Sequence, residues 1–263
     1  MDKMPCLPVK ITDKRWADSL QDGSVFMRSL YDYGSWSVVK RSQAGDQQMK
    51  SGVQGDVGEG IVYRVDPKVG DEYFNRFDPE IRAAMKDCFY IEDNIFQYCK
   101  VFCMYGLTYM LPEQYYEKPD ERLKEFGDTA VIILNPNEFL NRILKGLSRQ
   151  YKDNFDFRLD EIHYYPPDYY GPLNEFWKRA SFAWQNEMRM RVALLNPESY
   201  IIDEQGRKRK QLIQNTDSII LNIWDIRDIS VQIPIEDLIQ LKLPEQIQSL
   251  TLLWSRRSNY VRL

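Results

Sequence analysis

Gln185, Glu187, Arg189 and Arg191 alternate with Met188, Met190, Val192 and Leu194 in the stretch FAWQNEMRMRVAL, residues 182–194. A period of two marks a half-buried β-strand, because successive side chains leave opposite faces. The apolar set is a core face. The polar set lines up an amide, a carboxylate and two guanidiniums. On a strand, Gln185 and Glu187 would stand about 7 Å apart on one face. An amide beside a fixed carboxylate suits cleavage of an N-glycosidic bond, which passes through an oxocarbenium-like sugar whose positive charge a carboxylate stabilises. The amide offers an incoming nucleophile both a donor and an acceptor. A plainer reading of the same residues is a charged ladder on an exposed sheet face. Either way the face is expected to be exposed, so Glu187→Gln would cost the fold less than about 0.5 kcal/mol.

Other chemistries lack their residues. His163 is the one histidine, so a Ser-His-Asp or Cys-His arrangement would rest on it alone; among tyrosines in a predicted strand it reads as packed and hydrogen-bonded. The glycine patterns that cradle phosphates and the GxSxG elbow are missing. Cys6, Cys88, Cys99 and Cys103 contain no CxxC pair and with one histidine complete no common zinc site, so no metal is expected. Cys99 and Cys103 read as small buried hydrophobes in or beside a strand. A formal charge of −4 disfavours bulk electrostatic binding to duplex nucleic acid. Single strands fit better, because aromatic faces stack bases without a large positive charge. Tyr164, Tyr165, Tyr169 and Tyr170 in HYYPPDYYG are candidates for that role, with a packed loop as the alternative. The basic runs GRKRKQ (206–211) and SRRSNYVRL (255–263) read as a solvated loop and tail. There is no secretory h-region and no apolar run near the length of a membrane span, so a cytoplasmic protein without a membrane segment is expected.

The elements that must hold these residues are mostly strands. Strands are predicted at 24–33, 61–65, 95–107, 131–134, 162–165, 218–226 and 229–233, and helices at 79–89, from Pro136 onward, and at 234–241. Residues 42–60, with five glycines, read as a long loop. Helices intervene irregularly, which predicts an α+β fold, a mixed and mostly antiparallel sheet core with flanking helices. No linker or repeat is evident, so residues 1–263 are expected to form one domain.

Three segments, in order, resemble the ADP-ribosyltransferase fold of the Arg…Ser/Tyr…Gln/Glu-x-Glu class. They are VFMRSL with Arg28, the middle strand YCKVFCMYG, and WQNEMRMRV with Gln185 and Glu187. Where that family carries a small hydroxyl residue on the middle strand, this chain has Tyr105. The longer pattern FWKRASFAWQNEMRMRV is also similar to a widespread bacterial family in which a Lys precedes an aromatic and an acid-x-Glu-x-Arg strand follows. In that family a loop like DVGEG (Asp56, Glu59) and a strand like FCMYG come earlier. The first resemblance implies NAD as a substrate, with Arg28 on a pyrophosphate oxygen, Tyr105 on the nicotinamide side, Glu187 as the catalytic carboxylate on the ribose, and Gln185 orienting the acceptor. Gln at that position goes with guanine bases or side-chain amides. Lys178 would meet phosphates, and Tyr164 and Tyr165 would contact nucleic acid. The implied function is transfer of ADP-ribose from NAD to a base of single-stranded RNA or DNA, by a bacterial toxin or phage-defence effector restrained by an antitoxin protein. The alternatives are modification of a protein side chain, and a non-catalytic interaction or immunity module on the same fold.

Overall fold

The structure, a computed structural model, describes residues 7–32, 63–65, 78–80, 89–91, 98–110, 115–202, 205–215 and 217–247. The predicted loop at 42–60 with Asp56 and Glu59, most of the predicted helix at 79–89, Cys6, Cys88 and the basic tail lie outside the described residues.

Nine strands build the main sheet: β1 (Leu7–Thr12), β2 (Ser24–Ser29), β3 (Lys100–Leu107), β4 (Thr129–Ile133), β5 (Phe155–Glu161), β6 (Glu187–Ile202), β7 (Lys208–Leu212), β8 (Ile219–Asn222) and β9 (Ser230–Pro234). The order is β7-β6-β3-β1-β4-β9; β5 lies along the other edge of β6, and the β2–β8 pair joins the sheet through β3. All of these pairings are antiparallel. Among the described residues, the helices α1 (Lys14–Gln21), α2 (Pro136–Tyr151) and α3 (Ile235–Ile239) flank the sheet. The architecture is thus α+β with a mostly antiparallel sheet. No described helix is long and apolar enough to cross a membrane.

The alternation of β4 divides the core. Val131 and Ile133 face one cluster, where α1 adds Ala17 and Leu20 and α2 adds Phe139, Ile143 and Leu147. Ala130 and Ile132 face the other, with Leu7, Val9, Tyr105 and the α3 residues Ile235, Leu238 and Ile239. Local chemistry starts α2 where expected: the Asn135 side chain accepts from the Glu138 amide at 3.1 Å, and Pro136 occupies the first turn. The predicted strand at 218–226 shortens to Ile219–Asn222, because Trp224 takes a left-handed φ of 66°. Three strands of the main sheet, β1, β5 and β7, were not expected. β5 does alternate, with Phe155, Phe157 and Leu159 against Asp156, Arg158 and Asp160, but none of its side chains is fully buried. GRKRKQ is no loop: Lys208–Leu212 pair with the far half of β6.

One irregularity in the sheet matters for function. β3 pairs with β1 through Tyr105–Leu107 and with β2 through Lys100 and Val101. Between those contacts, residues 102–104 have a strand partner on the β6 side alone. β1 and β2 therefore diverge from β3 like the arms of a fork, and α1 connects them. Gly23 sets the entry to β2. Its φ is +90°, and a Cβ there would stand 1.9 Å from the Trp224 carbonyl oxygen. Gly23→Ala is expected to destabilise the fold by at least about 1–3 kcal/mol from backbone strain, before the clash is counted. Urea unfolding of the two proteins measures this, and an unchanged midpoint would contradict the assigned backbone.

Candidate functional site

The polar face of β6 is buried. Glu187, Arg189 and Arg191 are 6%, 1% and 7% exposed, so the expected solvated ladder is absent. Burial requires each charge to be answered, and each is. Glu187 Oε2 accepts from Lys178 Nζ at 2.6 Å, and Oε1 from Arg189 Nε at 2.8 Å. Arg189 also donates to the Glu175 carbonyl at 2.6 Å. Arg191 bridges the Glu175 carboxylate at 2.9 Å and Asp156 at 2.5 Å. Burial alone would push the Glu187 carboxyl up, but Arg189 and Lys178, with a hydrogen bond from Cys103, outweigh it and hold it at about 2. Glu187 is therefore a permanently ionised, immobilised carboxylate.

Gln185 reaches this cluster by a different route from the one the alternation suggests. It ends a 3-10 turn, Ala180–Gln185, and β6 begins only at Glu187. Asn186 between them is left-handed, with φ 35°, and its amide donates to the Gly106 carbonyl and the Thr108 hydroxyl. Asn is among the residues that tolerate this conformation, and that was the available sign of a break. Gln185 and Glu187 still meet at one partner, since Lys178 Nζ also donates to Gln185 Oε1 at 2.9 Å. Lys178 sits on a short strand, Trp177–Arg179, paired in parallel with His163–Tyr165. It is 6% exposed and not a solvated helix charge.

A cavity of about 540 Å³ fills the fork. Arg28, Tyr105, Lys178, Gln185 and Glu187 all line it, together with Lys10, Arg15, Trp16, Phe26 and Phe102. Tyr105 stands directly across from Glu187 on the neighbouring strand. Tyr105, Lys178, Gln185 and Glu187 are buried and Lys10 and Arg28 half-buried, whereas Trp16 and Phe26 are 52% and 43% exposed. Volume, depth and mixed lining are those of a small-molecule site. Lys10 escaped sequence reasoning: a single lysine in VKIT carries no signal until the fork is seen.

The tyrosine run lies elsewhere. Tyr165 is buried with Leu173, Tyr169 and Trp177. The Tyr164 hydroxyl accepts from the Glu187 backbone amide at 2.9 Å, and burial followed by the nearby Glu187 charge pushes its own ionisation up to about 12. Both tyrosines thus support the site from behind. His163 is exposed rather than packed away, with its ring 5.6 Å from that of Trp177. Cys99 is buried and its thiol is pushed up to about 12, chiefly by burial; Cys103 lies on β3 facing the cavity. No group of three or more His, Cys, Asp or Glu among the described residues could hold a metal ion. Comparison with family models, curated proteins and solved structures gives no match to this chain. What the cavity does has to be read from its own residues.

Burial reverses the expectation for Glu187→Gln. Removing one partner of a buried ion cluster leaves Lys178 and Arg189 uncompensated and should cost about 3–5 kcal/mol. Because the folded carboxyl is held below its ordinary value of 4.5, this contribution is present above that pH and lost as the pH falls toward about 2. Denaturant titrations of parent and variant should show a stability gap at pH 7 that closes on acidification. A gap below about 0.5 kcal/mol at pH 7 would mean that the face is solvated after all.

Proposed function

We propose that this chain is an NAD-dependent ADP-ribosyltransferase with a base of single-stranded nucleic acid as acceptor. One observation carries the reading. Arg28, Tyr105, Lys178, Gln185 and Glu187, contributed by β2, β3, the 177–179 strand, the 180–185 turn and the start of β6, line the same cavity. The diphosphate of NAD lies toward Arg28, for which a guanidinium is well shaped. The nicotinamide ribose lies toward Glu187, and Tyr105 takes the nicotinamide side. The bond from C1′ to the nicotinamide nitrogen breaks with its electron pair going to the ring, so the pyridinium leaves as neutral nicotinamide. Glu187 stabilises the positive charge left on the ribose. Each of its oxygens keeps a second lone pair for a ribose hydroxyl after accepting from Lys178 or Arg189. A base nitrogen attacks C1′ and releases its proton to solvent, while Gln185, its oxygen held by Lys178, orients that base. The exposed rings of Trp16 and Phe26 offer stacking faces at the cavity. An enzyme that consumes NAD to modify nucleic acid harms the cell that makes it. The reading therefore extends to a cytoplasmic toxin or defence effector held in check by an antitoxin protein.

One observation favours a second reading, a non-catalytic interaction module. Both oxygens of Glu187 are already taken up by cations, a complete structural cluster without any ligand. Incubation of the purified protein with labelled NAD, RNA, single-stranded DNA and cell lysate separates the two. The transferase releases nicotinamide and moves label to nucleic acid; label on protein would change the acceptor class, and no release by folded protein would leave the module. Arg28 is half-buried, so Arg28→Ala should still fold and should weaken NAD binding more than it disturbs the fold, by about 10- to 150-fold, the value of a charge-assisted phosphate contact. Unchanged NAD affinity, measured by calorimetry, would remove Arg28 from the site.

A further inference from the structure

Lys10 has no part in the chemistry above, yet it stands in the middle of the fork. Its Nζ donates to the Cys103 carbonyl at 2.9 Å, on the stretch of β3 that neither β1 nor β2 covers. It also lies 4.7 Å from the centre of the Phe102 ring. Among the described residues no carboxylate comes within ion-pair distance of it. Lys10 is half-buried, and partial loss of water favours an anion beside its ammonium. Glu187 acts on it only from a distance, and that charge is already answered by Lys178 and Arg189. Among the described residues, Arg15, Arg28 and Lys178 line the same cavity as Lys10, with Asp13 and Glu187.

We propose that Lys10 is the floor of a phosphoryl-binding subsite, receiving the diphosphate of a nucleotide between its ammonium and the Arg28 side of the fork. An ammonium has three donors, and the Cys103 carbonyl uses one. A diphosphate supplies acceptors for the others and negative charge beside the Lys10 ammonium. The aromatic mouth formed by Trp16 and Phe26 favours a nucleoside diphosphate over the bare anion. The choice of a nucleotide rests on the NAD reading; the anion site itself needs no reaction. Burial lowers the affinity of the Lys10 amine for its proton, Cys103 and Glu187 work against that, and Arg28 works with it. A bound phosphate would restore the proton. Binding should therefore weaken as the pH rises through the alkaline range below 10.5, the ordinary lysine value.

ADP tests this without a scissile nicotinamide bond, so the result stands whether or not NAD is consumed. By calorimetry the parent should bind ADP more tightly than inorganic pyrophosphate. Lys10→Met, which keeps the length of the stem, should bind ADP about 10- to 150-fold more weakly and lose the alkaline pH dependence. A folded Lys10→Met protein with parental ADP affinity, or a parent that does not bind ADP at millimolar concentration, overturns the proposal. Should Lys10→Met fail to fold, reductive methylation of the parent followed by mass spectrometry decides: ADP must shield Lys10, and equal labelling with and without ADP overturns the subsite. NAD turnover with an ADP-indifferent Lys10 would sink the subsite and spare the transferase. ADP binding without NAD turnover would do the reverse.

Discussion

The Lys178–Glu187–Arg189 cluster is the constraint on which the rest of the site depends. Three charges with exposures of 6%, 6% and 1% are held away from water. Desolvating them costs several kcal/mol each unless geometry is good and every remaining donor finds an acceptor. That requirement fixes the positions of otherwise unrelated pieces of chain. The short strand carrying Lys178 must lie against the start of β6, the backbone at Glu175 must offer its carbonyl to Arg189, and the 180–185 turn must bring Gln185 back to Lys178. Asn186 makes the sharp connection between turn and strand. The result is a carboxylate that is ionised at any physiological pH and cannot swing.

The fork supplies the space in front of that carboxylate. A continuous sheet would cover the edge of β3 with backbone hydrogen bonds and leave no room for a ligand. Here β1 leaves β3 after Val9 to continue along β4, and β2 approaches only at Arg28 and Ser29. Cys103 presents its carbonyl into the gap, and Lys10 answers it. Because the cavity opens through the plane of the sheet, it is lined from both faces, by Phe102 and Met104 as well as Cys103 and Tyr105. Residues separated widely in sequence are thus brought to one cavity by strand pairing, with α1 and the 180–185 turn adding Arg15, Trp16 and Gln185.

The parts of this arrangement with a local period were legible in the sequence. The two faces of β6, the strand and capped helix around Asn135–Pro136, and the antiparallel α+β class all followed from alternation, turn residues and apolar spacing. The buried state of the polar face was not legible, because Glu187, Arg189 and Arg191 look the same whether water or Lys178 and Glu175 face them. Partner residues from distant segments decide that, and one sequence does not reveal them. Tyr164 and Tyr165 show the opposite difficulty. Their composition suggested a surface for bases, but the pairing of 163–165 with 177–179 turned them inward as supports. Lys10 was invisible for a third reason: its significance comes from a missing strand, which is a property of topology and not of any motif.

The measurement that bears most directly on the central claim is a crystal structure of the protein with a non-hydrolysable NAD analogue. The account predicts the analogue in the fork, with its diphosphate between Lys10 and Arg28, its nicotinamide ribose within hydrogen-bond distance of Glu187, and the Lys178–Glu187–Arg189 contacts retained. An analogue bound outside the fork, or an empty fork at saturating concentration, would contradict it.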